Sequence, residues 1–200
     1  MDDIIKSARE IALEKVEQLG QATQDERLTW KYAPIGETLG GKLLRDDINL
    51  LGELSKYPEE GKKHITKAAA DVLISNIALP KGDAAKKKNK RIFDGLKLIK
   101  DDKVAVENAF SKFRYLFNHY EQQGEQQRQQ AFKSLKADME VKIQQALQKQ
   151  MGTGTVLGAG KIDVENQPQF QQEWRKLQGQ LDSAYLVHLN EYKQELVGIK

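Results

Sequence analysis

Apolar residues recur along this chain at helical spacing, and the spacing changes character near its midpoint. Ile4, Ile5, Ala8, Ile11, Ala12, Val16 and Leu19 fall on one helical face ahead of Gly20, a natural C-cap residue. Residues 21–37 hold Trp30, Tyr32, Pro34 and Gly36 without a clean period, so the pattern predicts a short helical turn over 24–30 followed by a loop. A second helix is expected on Leu39, Leu43, Leu44, Ile48, Leu51 and Leu54. It is interrupted by Gly52 and stopped by Pro58, which suits the first position of a third helix carrying Ile65, Ala68, Ala69, Val72, Leu73 and Ile77. The turn Leu79-Pro80-Lys81-Gly82 ends that helix, and a fourth runs from an Asp83 N-cap through Ile92, Phe93, Leu96 and Ile99.

From Asp101 onward, Val106, Phe110, Phe113, Phe117 and Tyr120 alternate steps of four and three in the manner of a coiled-coil seam. The stretch EQQGEQQRQQ at 121–130 carries no apolar residue, after which Ala131, Phe132, Leu135, Met139, Ile143, Ala146 and Leu147 resume the pattern. An interior Gly124 costs only about 1 kcal/mol among helix-forming neighbours. One helix over 101–151, about 75 Å long at 1.5 Å per residue, is therefore expected, with a helix-loop-helix as the alternative. Gly152, Gly154, Gly158, Gly160 and Pro168 interrupt helix over 152–169. A last helix then steps through Phe170, Trp174, Leu177, Leu181, Ala184, His188 and Tyr192. Two long striped helices joined by such a loop fold back as an antiparallel hairpin, each burying its stripe on the other.

The composition supports this all-α reading. Helix formers dominate, the 200 residues include no cysteine, and 39% are hydrophobic. The absence of cysteine removes disulfide scaffolds, zinc ribbons and thiol nucleophiles and fits a reducing compartment. The start Met1-Asp2-Asp3 is acidic where a secretory signal is basic, and no apolar run reaches the roughly 20 residues that span a bilayer, so a cytoplasmic protein without a membrane span is expected. The expected architecture is a helical domain of about four helices over 1–100, followed by a long, coiled-coil-like helical hairpin over 101–200 with its Gly-rich connection at 152–169.

Net charge is only +3, but the excess is concentrated. In 81–100, Lys81, Lys86, Lys87, Lys88, Lys90, Arg91, Lys97 and Lys100 face only Asp83 and Asp94. Lys86, Lys87, Lys88, Lys90 and Arg91 are the candidate contacts for an anion or nucleic acid, although no aromatic sits among them to stack a base. His64, His119 and His188 offer no metal-ligand spacing; Glu60 and His64 could form an i,i+4 surface pair, and His188 falls on the last apolar stripe. The loop MGTGTVLGAGK fails both phosphate-binding patterns: Gly160-Lys161 is followed by Ile162 instead of Ser or Thr, and Leu157 stands where a dinucleotide fingerprint needs its third glycine. Val156, Leu157 and Ile162 remain as apolar groups for an interaction loop. Asp46-Asp47 and Asp101-Asp102 are explained by helix starts.

No catalytic constellation, metal site or cofactor site is visible, so the function expected from sequence is protein–protein interaction or scaffolding, with a protein partner or a homo-oligomer. Nucleic-acid association through 81–100 is the runner-up. An enzyme of unknown class comes third.

Overall fold

The computed structural model describes Arg9 and residues 22–46, 48–151 and 163–199. The fold is all-α, with no strand among the described residues. The helices are α1 (Gln24–Arg45), α2 (Leu50–Leu54), α3 (Glu59–Ser75), α4 (Asp83–Ile99), α5 (Lys103–His119), a π-helical segment (Tyr120–Gly124), α6 (Glu125–Met151) and α7 (Pro168–Gly198). Apart from Arg9, the helix expected over 4–19 lies outside the described residues, as do the loop residues Val156, Leu157 and Ile162. No helix among the described residues is long and apolar enough to cross a membrane. The chain divides into two compact units: one comprises residues 1–77 and 90–103 with Lys200, the other residues 78–89 and 104–199.

In the first unit, α1 replaces the expected turn and loop at 21–37. Thr23 starts it with a capping box: Glu26 N–H donates to Thr23 Oγ1 at 3.2 Å, and Thr23 N–H donates to Glu26 Oε2 at 2.8 Å. Pro34 lies inside this helix, where it removes one backbone hydrogen bond. Packing offsets that loss, because Tyr32, Gly36, Leu39, Gly40 and Leu43 form one buried stripe. Gly36 lets α1 touch the backbone of α3. A Cβ there would collide with the Ile65 carbonyl oxygen and come within 2.8 Å of Ala68 Cβ. Tyr32 covers Gly61 of α3, and Gly40 faces Ala69 and Val72, so α1 and α3 run in the same direction across this contact. The expected helix over 39–54 ends instead at Arg45. Arg91 Nη1 donates to the Leu44 and Arg45 carbonyls at 3.3 and 3.0 Å, and Asn49 caps the short α2 through the Gly52 N–H. Ile65, Ala69, Leu73, Ile92 and Leu96 are fully buried and form the core, each large side chain contributing about 1.5–3 kcal/mol of burial.

In the second unit, the turn before α4 is held by Asn89, which is 4% exposed. Its Nδ2 donates to the Ala78 carbonyl at 2.7 Å and its Oδ1 accepts from the Ala78 N–H at 3.1 Å. Gly82 supplies the positive φ of 90° that this turn requires. Residues 103–151 are helical throughout, with the π segment inserted at 120–124. Helix α7 packs antiparallel to this run: Phe113 meets Tyr192, His119 meets Tyr185, and Phe132 meets Trp174 and Phe170, while Lys136 pairs with Glu165 in the turn just before α7. Val106, Phe110, Phe113 and Tyr120 of the predicted seam are buried, whereas Phe117 and Trp174 are only half-buried.

Candidate functional site

The basic residues singled out in sequence go to different tasks. Lys86 pairs with Glu121 Oε1 at 2.5 Å, and that hydrogen bond, with the Glu121 charge, raises the Lys86 pKa. Arg91 is committed to the C-terminal carbonyls of α1. Lys87 and Lys90 are exposed and Lys88 is half-buried.

The histidines also differ from expectation. His64 is buried on α3, away from the surface pairing with Glu60. Its Nδ1 lies 2.9 Å from Thr29 Oγ1 and its Nε2 3.6 Å from Asp25 Oδ1. Thr29 Oγ1 also lies 2.9 Å from the Asp25 carbonyl oxygen. Thr29, His64 and Asp25 together form a clasp between α1 and α3. His188 is exposed, not buried in the stripe, and pairs with Glu191 at 3.0 Å.

Two recesses in the second unit carry the site chemistry. One forms beside the π segment, an irregularity that often marks functional positions. It encloses about 450 Å³ against Lys81, Lys86, Tyr120, Arg128, Gln178 and Asp182. Asp182 is 4% exposed; its Oδ2 binds Lys81 Nζ at 2.5 Å, while its Oδ1 has no hydrogen bond and stands 3.9 Å from Arg128 Nη1. Arg128 lies over the Tyr120 ring at 4.2 Å and donates to the Tyr120 carbonyl and to Glu125. The Arg128 hydrogen bond, followed by that of Gln129, lowers the Glu125 pKa. Burial first, then the charge of Asp182 and a hydrogen bond to it, push the Tyr120 phenol up to about 12. Gly124 belongs to the same construction, since a Cβ there would lie 3.1 Å from both Tyr185 Oη and Arg128 Nη1.

The second recess is an open groove of about 420 Å³ between α5 and α7, walled by Tyr115, His119, Leu181, Tyr185, His188 and Tyr192. His119 Nδ1 and Tyr185 Oη are hydrogen-bonded at 3.0 Å, and the Tyr115 ring is 72% exposed. Sequence reasoning placed His119, His188 and Tyr192 along their helices but could not bring them together, because that needs the antiparallel register. It missed Arg128 and Asp182. Their signal was an arginine and an aspartate at helical spacing from other positions: Arg128 lies four residues after Gly124, and Asp182 lies three before Tyr185 and seven before Leu189.

No curated protein and no solved structure matches this chain. Residues 51–198 match a family of unknown function, DUF6657, and the chain belongs to that family.

Proposed function

We propose that this chain is a helical interaction protein that docks a protein partner on the aromatic groove between α5 and α7. The observation that carries this reading is the collection of Tyr115, His119, Tyr185, His188 and Tyr192 in one open groove. Tyrosine gives large contact area with little side-chain entropy to lose, and aromatic residues are enriched in interface cores. The groove lies wholly inside the family match at 51–198. The coiled-coil-like pairing of α7 with the 103–151 run supplies a rigid support for these side chains, and the cysteine-free sequence fits a cytoplasmic setting.

A photoreactive amino acid placed at Tyr115 or Ala184 in the living cell tests the proposal, with Gln126 and Gln172, both exposed, as controls. Discrete adducts at the groove positions alone are expected, and their mass separates a different protein from a second copy of this chain. Absence of adducts at the groove, or equal labelling at the controls, overturns it.

A further inference from the structure

A groove of about 650 Å³ runs through the first unit where α1 and α3 lie side by side. Ala33, Ala68 and Val72 give it a half-buried apolar floor. Its two rims carry opposite charge: Asp25 and Glu37 stand on the α1 side, Lys63 and Lys67 on the α3 side. Asp71, farther along the α3 side, meets the charge of Lys100. Glu37, Lys63 and Lys67 are exposed and take part in no ion pair among the described residues. An apolar floor about three turns long between an acidic and a basic rim is the seat of an amphipathic helix. Its occupant should carry cations along one border of its apolar stripe and anions along the other.

Residues 4–19 of this chain have that pattern. At about 100° per residue, Arg9 borders the stripe of Ile4, Ala8, Ile11, Ala12 and Leu19 on one side, with Lys6 behind it, and Glu14 borders it on the other, with Glu10 behind it. We propose that residues 4–19, which apart from Arg9 lie outside the described residues, occupy this groove as a third helix. The capping box at Thr23 starts α1, so Gly20, Gln21 and Ala22 suffice only for a tight return, and the segment runs antiparallel to α1. That direction is the complementary one. It turns the Arg9 side toward α1, within about one turn of Glu37, and the Glu14 side toward Lys63 and Lys67 on α3, whereas a parallel helix would set like charges together. Ala12 then falls level with Ala33, where two small side chains allow close approach. Lys15, the charged residue within the stripe, falls level with Thr29 and its neighbour Asp25. The short connection also favours this segment over any free helix by raising its effective concentration at the groove. The proposal is independent of partner docking on the aromatic groove, which belongs to the other unit.

The cysteine-free chain allows a direct test. In the full chain carrying Ala12→Cys and Ala33→Cys, mild oxidation is expected to close a disulfide within one monomer. Closure should be about tenfold or more faster than in Glu10→Cys with Ala33→Cys, whose cysteine lies on the opposite side of the same segment. Glu37→Arg should slow closure about two- to fivefold, the effect of losing a rim ion pair, and adding Arg9→Glu should restore it. Restoration by the exchanged pair separates lost charge pairing from a disturbed fold. The proposal fails if the two cysteine pairs close at equal rates, if neither closes, if the disulfide joins two copies, or if the charge exchange leaves closure slow.

Discussion

Gly36 and Gly41 sit on the same helix in opposite surroundings. A Cβ at Gly36 meets the backbone of α3, which cannot move aside, whereas one at Gly41 meets nothing within 4 Å. Gly36→Ala should therefore cost about 1–3 kcal/mol through overpacking, and Gly41→Ala should stabilise by about 0.5–1 kcal/mol because alanine loses less backbone freedom in a helix. Urea melts of the two variants decide this; effects of the same sign would mean that α1 and α3 are not in the contact described. Gly36 also explains why the local pattern predicts only a short helical turn over 24–30 followed by a loop where α1 runs on to Arg45. Pro34 and Gly36 are poor helix formers by themselves, and their tolerance depends on Ile65 and Ala68, which no local window of sequence contains. Tyr120 gives a second residue-scale expectation. Its phenol, raised from 10.0 to about 12, stays protonated in the folded chain after the unfolded chain has begun to ionise. Its contribution to stability is thus complete below pH 10 and is lost as pH rises toward 12, and Tyr120→Phe should flatten that alkaline decline in denaturant melts.

At the scale of elements, the π segment sets the rotation of α6 relative to α5. Its wider turn absorbs one more residue than an α-turn, so Phe132 reaches Phe170 and Trp174 while Phe113 reaches Tyr192 on the same α7. Deleting the exposed Gln123 would remove the extra residue together with the wide turn and leave Phe113 and Phe132 on the same face, whereas inserting one alanine after Gln123 would turn one of these aromatic sets away by about 100°. The insertion should cost about 3 kcal/mol or more, comparable to removing a packed aromatic, while Gln123→Ala should be within about 0.5 kcal/mol of neutral. An insertion as mild as the substitution would show that register is not fixed at this point. The seam from Val106 to Tyr120 was legible because its step of four and three directly records burial on one face. Residues 121–130 were opaque for a physical reason: their buried positions are Gly124 and the largely enclosed Arg128, whose places in the stripe are invisible to a count of apolar residues.

For the molecule as a whole, the question is how much of its positive charge is available to a polyanion. Net charge is +3, so long-range attraction is weak, and any affinity must come from particular side chains. Of the five basic residues picked out in sequence, Lys86 is held by Glu121 and Arg91 by the carbonyls ending α1, whereas Lys87 and Lys90 are exposed. Each phosphate neutralised on duplex DNA adds about −0.9 to the slope of log K against log salt; two such contacts give about −1.8, against about −4.5 for a fully engaged five-residue patch. Fluorescence anisotropy of a labelled duplex between about 50 and 200 mM salt should therefore show weak binding with the shallow slope. Lys87→Glu with Lys90→Glu should abolish even that and leave the melting temperature nearly unchanged, because exposed charges contribute little to folding. A slope near the steeper value, with tight binding lost in the double variant, would make nucleic acid the partner and the aromatic groove secondary. The shallow slope instead leaves Lys86 and Arg91 where their contacts place them, as parts of the fold.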